Sequence, residues 1–381
     1  MTGIKSTRII ANGKIISGTV CFENGKIVSV SDSPEKPDQL IDVGDSYVSA
    51  GFIDIHTHGG CGCDFSKGTL EVIEGANFHL KHGTTSICPT ISAMDFCSMA
   101  HAVEYVEAAM ADGRTLPNII GAHLEGPYLS KEQCGAQCPT FIKAPDPAEY
   151  EELVEKHGDA IARWTYAPEN DDGSFAKYVS ERGINVSAGH TNAIYADMER
   201  AIANGCNIVT HLYSCTSTVT REFGFRRLGV IETALLRDDI YAEIIADGKH
   251  LPADLIKLIL KAKGTDKVAL VTDSLELAGV EAREGVCGVT EYIIEDGVCK
   301  LKDRNAFAGS IATADRLVRV VRDEAGVPIT EAIKMITAVP AEILGLNKGD
   351  LAPGLDADIV VFDDGINVEK VFVMGECKYE K

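Results

Sequence analysis

From about residue 51 to residue 273 the chain alternates short apolar runs with longer stretches whose apolar residues return every three or four positions. Such alternation predicts parallel strands joined by helical crossovers. The runs are a strand at 51–55, then TTSICPT, NIIGAHLE, RWTYAPE, INVSAGH, NIVTHLY, YAEIIADG and VALVTD. TLEVIEGANFHLKHG reads as the first helix, stopped by Gly83. Further helices are expected near 95–111, 147–157, 173–182, 194–204, 226–236 and 252–262. Eight such units suit an α/β fold of the (β/α)8 TIM-barrel type, whose active sites gather at the carboxyl ends of the strands.

The two ends of the chain carry a different pattern. Residues from about 6 to 50 alternate at strand spacing around Gly-Lys turns, as in IIANGKII and CFENGKIVSVSD, and ADIVVFDDGINVEKVFVMGECKY does the same. The expected organisation is a small β-sandwich domain built from 1–50 and 344–381, interrupted by a barrel over 51–343. A β insertion near 285–305 follows the eighth strand, and helices at about 310–325 and 330–338 lead back to the small domain.

Five of the barrel runs end in a metal-competent side chain. These are His56 and His58 after GFIDI, Glu125 in IIGAHLE, His190 in INVSAGH, His211 in NIVTHL and Asp273 in VALVTD. Histidine and carboxylate are the side chains that divalent transition metals take up. Strand ends ring one opening, so residues sixty or more positions apart can share one ion. In His56-Thr57-His58 alternate residues of an extended segment point the same way, so both imidazoles can face the axis. An HxH alone is weak evidence; four further ligand types at later strand ends give it weight.

Composition narrows the function classes. The 381 residues are 45% hydrophobic and 6% aromatic, a folded chain's balance, and 36 Lys plus Arg against 57 Asp plus Glu leave a net charge of −21. That charge argues against nucleic-acid and membrane-surface partners, and an anionic substrate needs a local basic pocket. The opening MTGIKSTRIIANGKI lacks a signal peptide's apolar core, and no run approaches the roughly 20 apolar residues of a membrane span, which predicts a cytoplasmic protein. The twelve cysteines are scattered. Cys61 with Cys63 and Cys134 with Cys138 lie near the ligand series without zinc-knuckle spacing, which favours loop packing over ligation.

GFIDIHTHG, GAHLEGPYL, SAGHTNA, THLYS, IIADGKH and LVTDS together resemble the amidohydrolase superfamily, and within it the N-acetylglucosamine-6-phosphate deacetylase family, over nearly the whole chain. The resemblance implies removal of the acetyl group from N-acetylglucosamine 6-phosphate, in amino sugar catabolism, with one or two divalent ions (Zn, Fe, Mn or Co). It implies that His56 and His58 hold one ion with Asp273, that His190 and His211 hold the other, and that Glu125 bridges. It further implies that His250 binds the sugar phosphate and that Arg221 reaches the phosphate in a neighbouring subunit, hence a homodimer. Ala136, Gln137, Ser214, Cys215 and the backbone of Phe307, Ala308 and Gly309 then complete the substrate contacts.

The residues also have plainer readings. Asp273, after the last strand, is placed to take a proton from attacking water and pass it to the departing amine; otherwise it caps a helix. Glu125 is otherwise a loop carboxylate, although RWTYAPE offers no lysine as an alternative bridge. His250 is otherwise a surface histidine, and 307–310 a helix-entry turn. Arg226 and Arg227 are read as the start of the next helix. Where the family pattern has HLYNAM and GTHNP, this chain has Ser214-Cys215 and Gln137, so Gln137 can donate a hydrogen bond to an acetyl carbonyl or a hydroxyl but carries no charge. N-acetylgalactosamine 6-phosphate, another acylated amino compound, and a non-catalytic sugar-phosphate-binding scaffold are the competing assignments.

Overall fold

The computed structural model describes residues 1–34, 36–287 and 290–381. Its centre is a ring of eight parallel strands: β1 (Phe52–Thr57), β2 (Thr84–Ser92), β3 (Ala122–Glu125), β4 (Ile161–Tyr166), β5 (Asn185–Ala188), β6 (Cys206–Val209), β7 (Tyr241–Ile245) and β8 (Val268–Val271). Hydrogen-bonded neighbours run in sequence order from β1 to β8. The ring closes just past the strand ends, where Asp273 N donates to His56 O (2.9 Å) and His58 N to Ser274 O (2.8 Å). The predicted third strand is split into Asn118–Ile119 and β3 by Gly121, whose φ of 144° and closeness to Ala162 N leave no room for a side chain.

The crossover helices follow one per strand: α1 (Thr69–Leu80), α2 (Phe96–Met110), α3 (Pro147–His157), α4 (Ser174–Ser180), α5 (Tyr195–Ala203), α6 (Val230–Leu236), α7 (Ala253–Lys263) and α8 (Ala314–Asp323). In α2, Met99, Ala102, Val103, Val106 and Ala109 form the buried stripe, and Asp95 caps the helix by accepting from Ser98 N. The expected helix at 226–236 begins only at Val230. Phe225–Arg227 instead pairs antiparallel with Thr220–Glu222, so Arg226 and Arg227 belong to a hairpin and not to a helix start. Gly224, with φ of 87°, makes that tight reversal possible. Beyond α8 come α9 (Ile329–Ile336) and α10 (Ala338–Leu344), the last not foreseen in the sequence.

Strand alternation divides the barrel residues. Leu124, Trp164, Val186, Val209, Ala242 and Ile244 belong to the large buried core shared with the helices. Their neighbours His123, Arg163, Thr165, Ser187, Thr210 and Glu243 hydrogen-bond to one another in a buried polar layer. The site stands on this layer.

The chain ends form one eight-stranded sheet, Thr2–Ala11, Lys14–Glu23, Lys26–Ser31, Gln39–Asp42 and Tyr47–Ala50 joining Ile359–Phe362, Val368–Val373 and Glu376–Glu380. The link is the antiparallel pairing of Tyr47–Ala50 with Ile359–Phe362. The Asn12-Gly13 and Asn24-Gly25 turns both have positive φ, the conformation that two-residue hairpins require. Ile4, Ile9, Val20, Phe22, Val48, Ile359 and Phe372 give the sheet its own core. The expected insertion appears as Glu284–Cys287, Thr290–Glu295, Val298–Leu301 and Phe307–Gly309, four antiparallel strands; residues 288 and 289 of it lie outside the described residues. No helix among the described residues is long and apolar enough to cross a membrane.

Candidate metal centre and active site

The six predicted ligands meet at the carboxyl ends of five strands. Glu125, the last residue of β3, lies at the middle: its Oε1 is 2.9 Å from His211 Nε2, 3.1 Å from His190 Nε2 and 3.5 Å from His56 Nε2. Its Oε2 is 3.2 Å from His58 Nε2. Asp273 Oδ1 is 3.3 Å from His58 Nε2 and 3.5 Å from His56 Nε2. All six side chains are buried.

Three of these residues leave their strands in a backbone conformation that few non-glycine residues adopt. His190, His211 and Asp273 have φ of 46°, 28° and 46°. Each costs on the order of 1 kcal/mol, a strain that collects at functional sites. Surrounding hydrogen bonds hold it: Ser130 N donates to His190 O, and Asp273 N to His56 O. Asp273 begins no helix, so the helix-cap reading of that residue is not realised.

The donor set fits a divalent ion. Two overlapping groups, His56 with Glu125 and His211, and His56 with His58 and Asp273, have donor atoms within 4.8 Å of one another. His56 Nε2 is buried and has no hydrogen-bond partner, as expected of a nitrogen reserved for a cation. Burial alone would lower the imidazole pKa values, yet Glu125 and Asp273 hold His56 up at about 10, and Asp273 and Glu125 hold His58 up at about 9. Burial likewise opposes ionisation of the carboxylates, but the imidazoles keep Glu125 and Asp273 below their ordinary values. The field at the centre calls for positive charge, which fits a metal.

A cavity of about 240 Å³ opens over this centre. It is lined by His58, Glu125, His190, His211 and Asp273, and by Ala136, Gln137, Ser214, Cys215, His250, Phe307, Ala308 and Gly309. Every predicted substrate contact is therefore brought together except Arg221. Arg221 stands exposed on the 220–227 hairpin, outside the cavity. The His250 side chain is only 5% exposed, with Nδ1 3.0 Å from Asp247 Oδ2 and its ring 4.9 Å from that of Phe307; it is no surface histidine. Phe307–Gly309 is a strand of the insertion, four residues ahead of α8, rather than a helix-entry turn. Gln137 is already engaged, donating from Nε2 to Glu125 Oε2.

Sequence reasoning passed over several residues of the site. Asp247, three positions before His250 in ADGKH, could have been found from that spacing. Ser92, whose Oγ is 3.1 Å from His58 Nδ1, and Cys287, brought over the cavity by the insertion, carry no local pattern that marks them. The buried pair Arg163 and Glu243 falls in the same class.

Comparison with known proteins agrees with this geometry. The sequence profile of the amidohydrolase family matches residues 47–378. The whole chain is 31% identical to the N-acetylglucosamine-6-phosphate deacetylase of Danio rerio, covering 97% of that protein. The protein of the same name from Lysinibacillus sphaericus is also 31% identical, over 98% of this chain and 96% of its own length. The crystal structure of N-acetylglucosamine-6-phosphate deacetylase from Pasteurella multocida superposes with a TM-score of 0.93, at 29% identity over all of both chains. The chain belongs to the amidohydrolase family, and within it to the N-acetylglucosamine-6-phosphate deacetylases.

Proposed function

We propose that the protein hydrolyses the acetamide of N-acetylglucosamine 6-phosphate, giving acetate and glucosamine 6-phosphate. The observation that carries the reading is the convergence of four imidazoles, Glu125 and Asp273 beneath one cavity, in a chain whose full-length relatives bear that activity in their names. His56, His58, Glu125, His190, His211 and Asp273 would hold one or two divalent ions of the zinc, iron, manganese or cobalt type. When bound, such an ion supplies Lewis-acid activation of water and of the amide carbonyl.

The chain's own residues do the rest. Asp273 Oδ1 takes the proton of the attacking water and delivers it to the amide nitrogen as the C–N bond breaks. His250, its Nδ1 fixed by Asp247, leaves Nε2 for the sugar phosphate. Ala136, Ser214, Cys215 and the backbone of Phe307, Ala308 and Gly309 shape the remaining wall. Barrel residues 51–343 form the catalytic unit in this reading, and 1–50 with 344–381 support it, in a cytoplasmic enzyme.

Among the described residues no lysine or arginine lines the cavity, although the substrate carries a phosphate and the chain a net charge of −21. Arg221 supplies the missing cation from a second copy of the chain in a homodimer. Its hairpin carries Phe223 at 93% and Phe225 at 77% exposure, apolar surface of the kind that docks. The test is acetate release from N-acetylglucosamine 6-phosphate, from the galactosamine isomer and from unphosphorylated N-acetylglucosamine, each with and without chelator. The glucosamine phosphate should be the best substrate and should fail with chelator. Faster turnover of acylated amino acids or ring amides would overturn the assignment. Because Ser214 and Cys215 line the cavity, the isomer arm decides which hexosamine is preferred.

A further inference from the structure

Beneath the candidate ligands lies a charge pair that the reaction as described does not use. Arg163 on β4 and Glu243 on β7 are both fully buried and bonded to each other inside the barrel. Arg163 Nη1 also donates to Ile55 O (3.1 Å), and Nη2 donates to Ser187 Oγ (2.7 Å) and Thr210 Oγ1 (3.3 Å). Burying such a pair is costly, and apolar replacements of similar volume are often no worse for stability. The pair therefore needs a reason other than packing.

The other carboxylate oxygen supplies one. Glu243 Oε2 lies 3.3 Å from His56 Nδ1 and accepts from the backbone N–H of His211, also at 3.3 Å. With Nδ1–H donated to Glu243, the lone pair of His56 sits on Nε2, the buried nitrogen between Glu125 and Asp273 that has no other partner. The same oxygen fixes the backbone of His211, whose φ of 28° is strained. We propose that Glu243 is a positioning residue for the metal centre, selecting the His56 tautomer and holding His211 in its turned conformation, with Arg163 bonded to its other oxygen and fixing the carboxylate in place. Thr165 and Thr210, hydrogen-bonded to each other at 2.9 Å, link Arg163 to His123 in the same layer.

The proposal rests on the reading of His56 as a metal donor, and the experiment keeps the two apart. Full-length wild type, His56→Asn and the double variant Glu243→Gln/Arg163→Met, which removes the buried charge together with its partner, are stripped with chelator and titrated with Zn²⁺ against a chromophoric chelator. Thermal unfolding is followed in parallel. Glu243→Asp is the second variant: it keeps a charge near Arg163 but withdraws the carboxylate from His56 by one methylene. Zn²⁺ affinity is expected to fall about 10- to 100-fold in either folded Glu243 variant, with kcat restored at saturating Zn²⁺ and KM for the sugar phosphate unchanged. Wild-type affinity and stoichiometry in a folded Glu243 variant, while His56→Asn loses metal, overturn the positioning role. Undiminished Zn²⁺ binding by His56→Asn overturns the ligand reading and the proposal with it. A wild type that binds Zn²⁺ but releases no acetate overturns the assigned reaction and leaves the positioning role standing.

Discussion

Gln137 donates from Nε2 to Glu125 Oε2 across 2.7 Å, while its own Oε1 accepts the backbone N–H of Ala93 at 2.8 Å. Both ends of the amide are thus used to tie the loop after β3 to the end of β2, with the central carboxylate caught between them. Replacing Gln137 by Leu removes the donor from a buried carboxylate and leaves the Ala93 N–H without an acceptor. The variant should lose about 1–3 kcal/mol of stability and about 10- to 100-fold in kcat, with metal content lowered. Steady-state kinetics decide the role: a rise in KM with kcat and metal content intact would mean that Gln137 serves the acetyl group and not Glu125.

Asp273→Asn tests the proton path. The amide keeps the size and one oxygen of the carboxylate but cannot take a proton from water. Loss of a general acid–base group costs about 10²- to 10⁴-fold, so acetate release should drop at least a hundredfold. Because four imidazoles and Glu125 remain, metal content measured on the same preparation should fall by no more than one ion. Activity within tenfold of wild type would require another residue to move the proton.

Which parts of this site can be read from sequence follows from how local each determinant is. The short apolar runs that include FIDI, AHL and VALV mark strands, and a ligand at a strand end is visible because the barrel places every strand end at one mouth. The Gly-Lys turns expected at IIANGKII and CFENGKIVSVSD are present one residue earlier, at Asn12-Gly13 and Asn24-Gly25, with Lys14 and Lys26 already opening the next strands. The 226–236 stretch misled because arginine is a good helix former. The outcome was decided instead by antiparallel pairing with Thr220–Glu222 around Gly224, which propensity does not see. Glu243 carries no local signal for a related reason. Inside YAEII it looks like a polar interruption of a strand, and its meaning comes from Arg163, eighty positions earlier, and from His56, at the other end of the barrel sequence and brought two strands away by closure of the ring.

Metal removal should be visible in stability as well as in activity. A ligand that binds only the folded state stabilises it by mass action, about 2.7 kcal/mol when free metal is a hundred times Kd. Chelator-treated protein should therefore unfold a few degrees lower than metal-loaded protein, and acetate release should disappear and return with added zinc, iron, manganese or cobalt. The carboxylates Glu125 and Asp273 make this direction firm, since removing the cation leaves them facing each other through the imidazoles. An unchanged unfolding temperature, with full loss of metal verified, would argue against these side chains as the ligands.

The homodimer reading is tested by mixing two crippled chains. In that reading Arg221→Ala should raise KM for the sugar phosphate, because a guanidinium suits a phosphate bidentately, while Asp273→Asn lacks the proposed proton carrier. In a mixed dimer, the site on the Arg221→Ala chain has its own Asp273 and receives Arg221 from the Asp273→Asn chain. One complete site is thereby rebuilt. After unfolding and refolding together in equal amounts, the mixture should regain about one quarter of wild-type activity, from half the dimers each with one good site. If Arg221 acted within its own chain, no mixed dimer would contain a complete site, and the mixture would show only the average of its two parents. The exposed position of Arg221, outside a cavity lined by no lysine or arginine among the described residues, predicts the recovery.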